Sequence, residues 1–127
     1  MDDKSLDKKL KELKIEDFIW LIYIGIIFIS WYANNLERKY FVYNDLESKD
    51  KYRKTMIFIF SILIVVYFYF LKDSYDNVKT MDHCESKEVK KLTFLSYVGS
   101  LLIFISGIIF LYIAIKDEEL NVELAFN

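Results

Sequence analysis

The only histidine and the only cysteine of this 127-residue chain stand side by side, His83 and Cys84, between Asp82 and Glu85. These residue types hold metal ions, or act as a nucleophile and its base. Their spacing supports neither use. A zinc site needs further ligands at set intervals, and no CxxC or HxxxH pair exists. A Cys–His pair must bring thiol and imidazole together, and adjacent residues point different ways. A single cysteine also excludes an intramolecular disulfide. The pair reads as part of a solvated loop.

Other reactive patterns fail in the same way. The chain has three glycines and no proline, and shows neither a phosphate-binding loop nor a nucleophile elbow. A net charge of −2 offers no electrostatic footprint for nucleic acid. No catalytic residue, metal ligand, cofactor site or small-molecule substrate is expected, and the chain reads as non-enzymatic.

What the residues do offer is apolar length. Residues 92–115 form a run of 24 without one charged side chain, bounded by Lys90 and Lys91 before it and Lys116 and Asp117 after it. As a helix this run is about 36 Å long, enough to cross a hydrocarbon core of about 30 Å. Residues 18–36 and 55–71 are two further uncharged runs, of 19 and 17 residues. The hydrophobic fraction is 54%, and the charges lie almost wholly outside these three windows. A soluble helix keeps a polar face, and none of the windows has one. Buried strands are continuously apolar too, but they run for about 4–8 residues between turn signals. The expected fold is therefore an all-α integral membrane protein of three transmembrane helices with polar connecting loops. The whole chain makes one membrane domain.

In chain order, residues 1–17 carry five lysines against six acids. Leu6, Leu10 and Leu13 share one side of a helix, a modest stripe that suits a solvated leader better than an interfacial helix. A cleaved signal peptide is disfavoured: the leader is not net positive, and a cut after Ala33 puts Trp31 where a small residue is required. In the first span (residues 18–36), Trp20 near one end and Trp31 with Tyr32 near the other read as interfacial anchors. Residues 37–54 form a polar loop with six basic and four acidic residues around the aromatic cluster of Tyr40, Phe41 and Tyr43. The second span (residues 55–71) contains twelve Leu, Ile, Phe or Val residues. That content favours insertion by about 4–7 kcal/mol. Lys54 and Lys72 flank it and extend outward as anchors. Residues 72–91 are a second loop, with five basic and five acidic residues. The tail (residues 116–127) is acidic, and Leu120, Val122, Leu124 and Phe126 alternate in a short strand-like pattern.

The third span (residues 92–115) has internal order. Ser96, Gly99, Ser100, Ser106 and Gly107 occupy about one third of the helix circumference, with Phe94, Leu101, Ile105 and Ile108 on the opposite side. Helices in lipid associate through close approach of small residues, so these five are the expected packing seam. No span contains Asp, Glu, Lys, Arg or His. Ion pathways and proton relays are marked by such groups.

These features imply an accessory or regulatory protein that acts through helix–helix contacts in the bilayer, as a homo-oligomer or bound to a larger membrane protein. In size and span count the chain resembles the phage holins, a likeness that implies an oligomeric pore; its acidic tail departs from their basic one. A membrane-bound bacteriocin-immunity protein is a third reading, from small size and helix content. The expected location is a bacterial plasma membrane. Lysine and arginine total 10 on the side of the N-terminus and second loop, against 7 on the other side. The excess points to a cytoplasmic N-terminus.

Overall fold

A computed structural model describes residues 3–81, 83–122 and 124. Three α-helices follow one another: α1 (Asp3–Tyr43), α2 (Leu46–Lys79) and α3 (Lys87–Lys116). No strand occurs among the described residues. The helices are 41, 34 and 30 residues long. Each outruns its uncharged window, because a helix does not stop where polarity begins. It stops where a cap or a breaker ends the backbone ladder.

The first expected loop is mostly helix for that reason. Residues 37–43 continue α1, residues 46–54 open α2, and only Asn44 and Asp45 remain between them. Asn44 turns the chain with a φ of 53°. This left-handed conformation ends helices, and asparagine tolerates it better than most residues. Asp45 then caps α2: its carboxylate accepts from the Glu47 backbone N–H at 3.1 Å and from the Ser48 hydroxyl at 2.8 Å. Two ion pairs one turn apart, Glu47–Lys51 and Asp50–Lys54, support the exposed first turns. The second connection is also shorter than its charge pattern suggests. α2 runs to Lys79, and the Thr80 N–H closes it on the Asp76 carbonyl at 2.9 Å. Ser86 caps α3 by accepting from the Val89 N–H at 3.2 Å.

The solvated N-terminal segment is helical too. Residues 3–17 are the first turns of α1, and Lys8, Glu12 and Ile15 lie along the end of α2 near Tyr69, Asp73 and Asp76.

α2 is the central helix. α1 and α3 each pack against it and not against one another, so the three form an open row. The contact faces share one spacing. On α1 they are Ile19, Ile22, Ile26, Ile29, Ala33 and Leu36; on α2, Tyr52, Met56, Ile59, Leu63 and Val66. Alternating steps of three and four average 3.5 residues, the period of left-handed packing between nearly antiparallel helices.

α2 and α3 are long and apolar enough to cross a membrane. In α1 the uncharged run includes Trp20, Tyr23, Trp31, Tyr32, Asn34 and Asn35. Their polar edges dilute its apolar character.

Candidate functional site

The surface of this protein is the unusual part of it. On α1, Phe18, Leu21, Ile24, Ile27 and Phe28 are exposed, and Trp20 and Trp31 are 64% and 67% exposed. On α3 the exposed set includes Leu102, Ile103, Ile105, Ile108, Ile109 and Tyr112. Contiguous apolar surface on this scale marks contact with lipid or protein rather than water. These side chains lie inside uncharged windows, and the charged side chains gather beyond the ends of those windows. α2, sandwiched between its neighbours, presents less within its uncharged run: Phe58, Val65 and Phe68.

Packing between α2 and α3 divides the five small residues of the expected seam. Gly107 is buried against α2, where a Cβ would lie 3.1 Å from Cδ2 of Tyr67 and 3.4 Å from Cγ1 of Ile64. Ser100 is half-buried on the same line. Gly99 faces open space, with no heavy atom within 4 Å of its would-be Cβ. Ser96 and Ser106 are exposed. The face that α2 takes is Tyr97, Ser100, Phe104, Gly107, Leu111 and Ala114, all half-buried or buried. It is rotated from the small-residue face toward the aromatic one.

Rings fill the space that small residues leave. Phe60 stacks on Phe110 with centroids 5.7 Å apart, Phe68 meets Phe104 at 5.9 Å, and Tyr75 meets Tyr97 at 5.9 Å. These pairs tie α2 to α3 along most of its length, each adding about 0.5–1.5 kcal/mol beyond area burial. Sequence reading missed the aromatic half of this seam. The signal was present in the alternating three- and four-residue steps from Tyr97 to Ala114.

The expected anchors stand as follows. Trp20, Trp31 and Tyr32 are exposed, and Trp20 packs edge-on against Tyr23 at 5.7 Å. α1 is unbroken between the two tryptophans, which places them about 16 Å apart along its axis. They do not reach both faces of a hydrocarbon core of about 30 Å without thinning it. Lys54 and Lys72 are exposed at opposite ends of the α2 run, about 27 Å apart along the helix. Lys54 is paired with Asp50 at 2.9 Å.

His83 and Cys84 are both exposed in the 80–86 connection. The His83 carbonyl accepts from the Lys90 ammonium at 3.0 Å. Among the described residues no three His, Cys, Asp or Glu side chains gather as metal ligands.

The tail departs from the strand-like expectation. Asp117 turns it back, its carboxylate accepting from the backbone N–H groups of Asn121 at 3.0 Å and Val122 at 2.7 Å. Leu120 adopts a φ of 56°. Leu124 is buried, 6% exposed, beside Tyr52, Met56 and Ala114, while Val122 stays exposed. Alternation predicts a strand only where a second strand is available to pair, and this end of the molecule offers helix ends. Arg53 donates to the Ile115 carbonyl at 2.8 Å, and Lys49 pairs with Glu119 at 3.2 Å, so α2 holds the tail down. Phe126 lies outside the described residues.

Comparison with protein-family models, with curated proteins and with solved structures finds no match to this chain.

Proposed function

We propose that this chain is a three-span, non-enzymatic accessory protein of a bacterial plasma membrane, working through helix contacts with copies of itself or with a larger membrane protein. The observation that carries the reading is the belt of exposed apolar side chains on α1 and α3, bounded by charge at both ends. Water penalises such a belt and a bilayer rewards it, by about 0.3–0.6 kcal/mol for each Leu, Ile, Phe or Val.

α1 is the third span of this proposal. Its uncharged run is about 28 Å long, close to the hydrocarbon thickness. It also packs along α2 through Ile19, Ile26 and Ala33, over most of that run. A helix held beside a spanning helix over its apolar length shares its depth.

The open row gives the proposal its mode of action. α1 and α3 each contact only α2, so both keep faces for a partner helix. Of the small residues on α3, Gly107 and Ser100 belong to the internal contact, whereas Ser96, Gly99 and Ser106 lie outside it and stay open to a partner helix in this reading. The lysine and arginine excess keeps the N-terminus cytoplasmic in this reading.

Two measurements test it. Alkaline carbonate extraction of membranes from expressing cells is expected to leave the chain in the pellet; release into the supernatant ends the membrane reading. A membrane-impermeant maleimide is expected to label Cys84 only after lysis. Labelling of intact cells reverses the topology and leaves insertion intact.

A further inference from the structure

Where α2 leaves its uncharged run and α3 enters its own, the two helices flank a groove of about 530 Å³. Sites for small ligands typically occupy about 300–1,000 Å³. Its walls mix apolar and polar surface. Leu92 and Val89 supply apolar surface, and Ser74, Asn77, Thr93 and Ser96 supply polar groups. Ser74 and Thr93 donate their hydroxyl protons to backbone carbonyls one turn back, at 2.9 and 2.8 Å, and so face a ligand as acceptors. The Asn77 amide and the Ser96 hydroxyl enter no hydrogen bond among the described residues. Among the described residues Glu85 is the one ionised side chain on the lining. The nearby Lys90 ammonium is engaged by the His83 carbonyl.

We propose that this groove binds the head group of an aminophospholipid. The inference rests on the membrane reading above, which places the groove at the edge of the hydrocarbon core. A primary ammonium is complementary to Glu85 and donates hydrogen bonds to it, which a quaternary ammonium cannot do. Phosphate and ester oxygens accept from Asn77 and Ser96. The acyl chains leave the groove past Ser96, one turn further into the uncharged run than Leu92, toward the bilayer. An anionic head group without an amine meets Glu85 unfavourably.

The test is native mass spectrometry of the full chain in detergent with equimolar dioleoyl phosphatidylethanolamine, phosphatidylcholine and phosphatidylglycerol. The expected result is a preference of about tenfold for the ethanolamine lipid, the worth of one charge-assisted hydrogen bond. Glu85→Gln, an exposed change that leaves the fold alone, is expected to remove the preference. Ser96→Phe fills the groove and is expected to remove the adduct. Equal adducts of all three lipids, or a preference that survives both variants, overturns the proposal. Displacement of the lipid by equimolar soluble phosphoethanolamine assigns the groove to a soluble amine and also overturns it. Absence of every lipid class, together with release by carbonate, is instead failure of the membrane reading.

Discussion

Gly99 and Gly107 lie eight residues apart on α3 and differ in what a side chain would meet. At Gly107 the first added atom presses on the Tyr67 ring at 3.1 Å. Gly107→Ile is expected to destabilise the α2–α3 pair by about 1–3 kcal/mol, the usual effect of overpacking a close contact. Gly99→Ala meets nothing, and is expected to be neutral or to stabilise by up to about 1 kcal/mol through helix propensity. Thermal unfolding of the two variants in one detergent reads the contrast; equal shifts would place α3 in another rotation. Asp45 supplies a pH dependence. The Ser48 hydroxyl, and behind it the backbone N–H groups of Ser48 and Glu47, hold its carboxyl below the ordinary value of 3.8. A lowered carboxylate stabilises the fold above that ordinary value, and the contribution is lost as pH falls through the lower, folded one. Acid titration followed by hydrogen exchange at the start of α2 is expected to show this loss. Asp45→Asn keeps a capping oxygen and should flatten the titration.

Among the elements, the caps and the tail decide the ends of α3. Ser86 satisfies the Val89 N–H, and Ser86→Ala is expected to lower the stability of the first turn by about 1 kcal/mol. Amide exchange at Lys87–Val89 measures it. At the far end, Arg53 and Lys49 reach across from α2 to the Ile115 carbonyl and to Glu119. The Lys49–Glu119 pair is open to water at its Glu119 end, and a pair screened in this way contributes little, about 0–1 kcal/mol. The buried Leu124 side chain therefore carries most of the attachment. Leu124→Ala is expected to weaken tail docking by about 2 kcal/mol, at the lower end for leucine truncation. Limited proteolysis then cuts between Asp117 and Val122 in the variant first. Lys49→Ala alone should leave the cutting rate nearly unchanged.

The whole molecule is a row of three helices with a thin interior and a wide apolar outside. A row lacks the enclosed centre of a closed bundle, so a conduit or cavity at mid-membrane requires further copies or a partner. Replacing Ser100 and Gly107 together with Ile tests how much of that association runs through the inner seam. Both lie on the α2-facing line, so the double variant is expected to loosen the α2–α3 pair before it alters contact between chains. Crosslinking and unfolding measured side by side separate the two effects. If copies dissociate while the pair stays intact, the small residues serve the outer contact instead.

How far the sequence reaches depends on which force is being read. Bilayer partition is a sum over side chains, so the uncharged runs at residues 55–71 and 92–115 already mark α2 and α3 as candidate spans. Helix ends are backbone events, and polarity reports them poorly. Residues 37–54 look like a loop by charge, yet all but Asn44 and Asp45 are helical, because nothing else there interrupts the hydrogen-bond ladder. The rotation of α3 is a property of a pair of surfaces. Ser96, Gly99, Ser100, Ser106 and Gly107 are one stripe on an isolated helix, but the facing rings of Phe60, Phe68 and Tyr75 draw α3 round toward its own aromatics. The tail shows the same division. Its alternating apolar residues were plain in the sequence, but only the assembled ends of α2 and α3 provide the niche in which Leu124, and not Val122, is buried. Composition settled that the chain is apolar helix. The shapes of neighbouring surfaces, which exist only after folding, settled which side of each helix is inside.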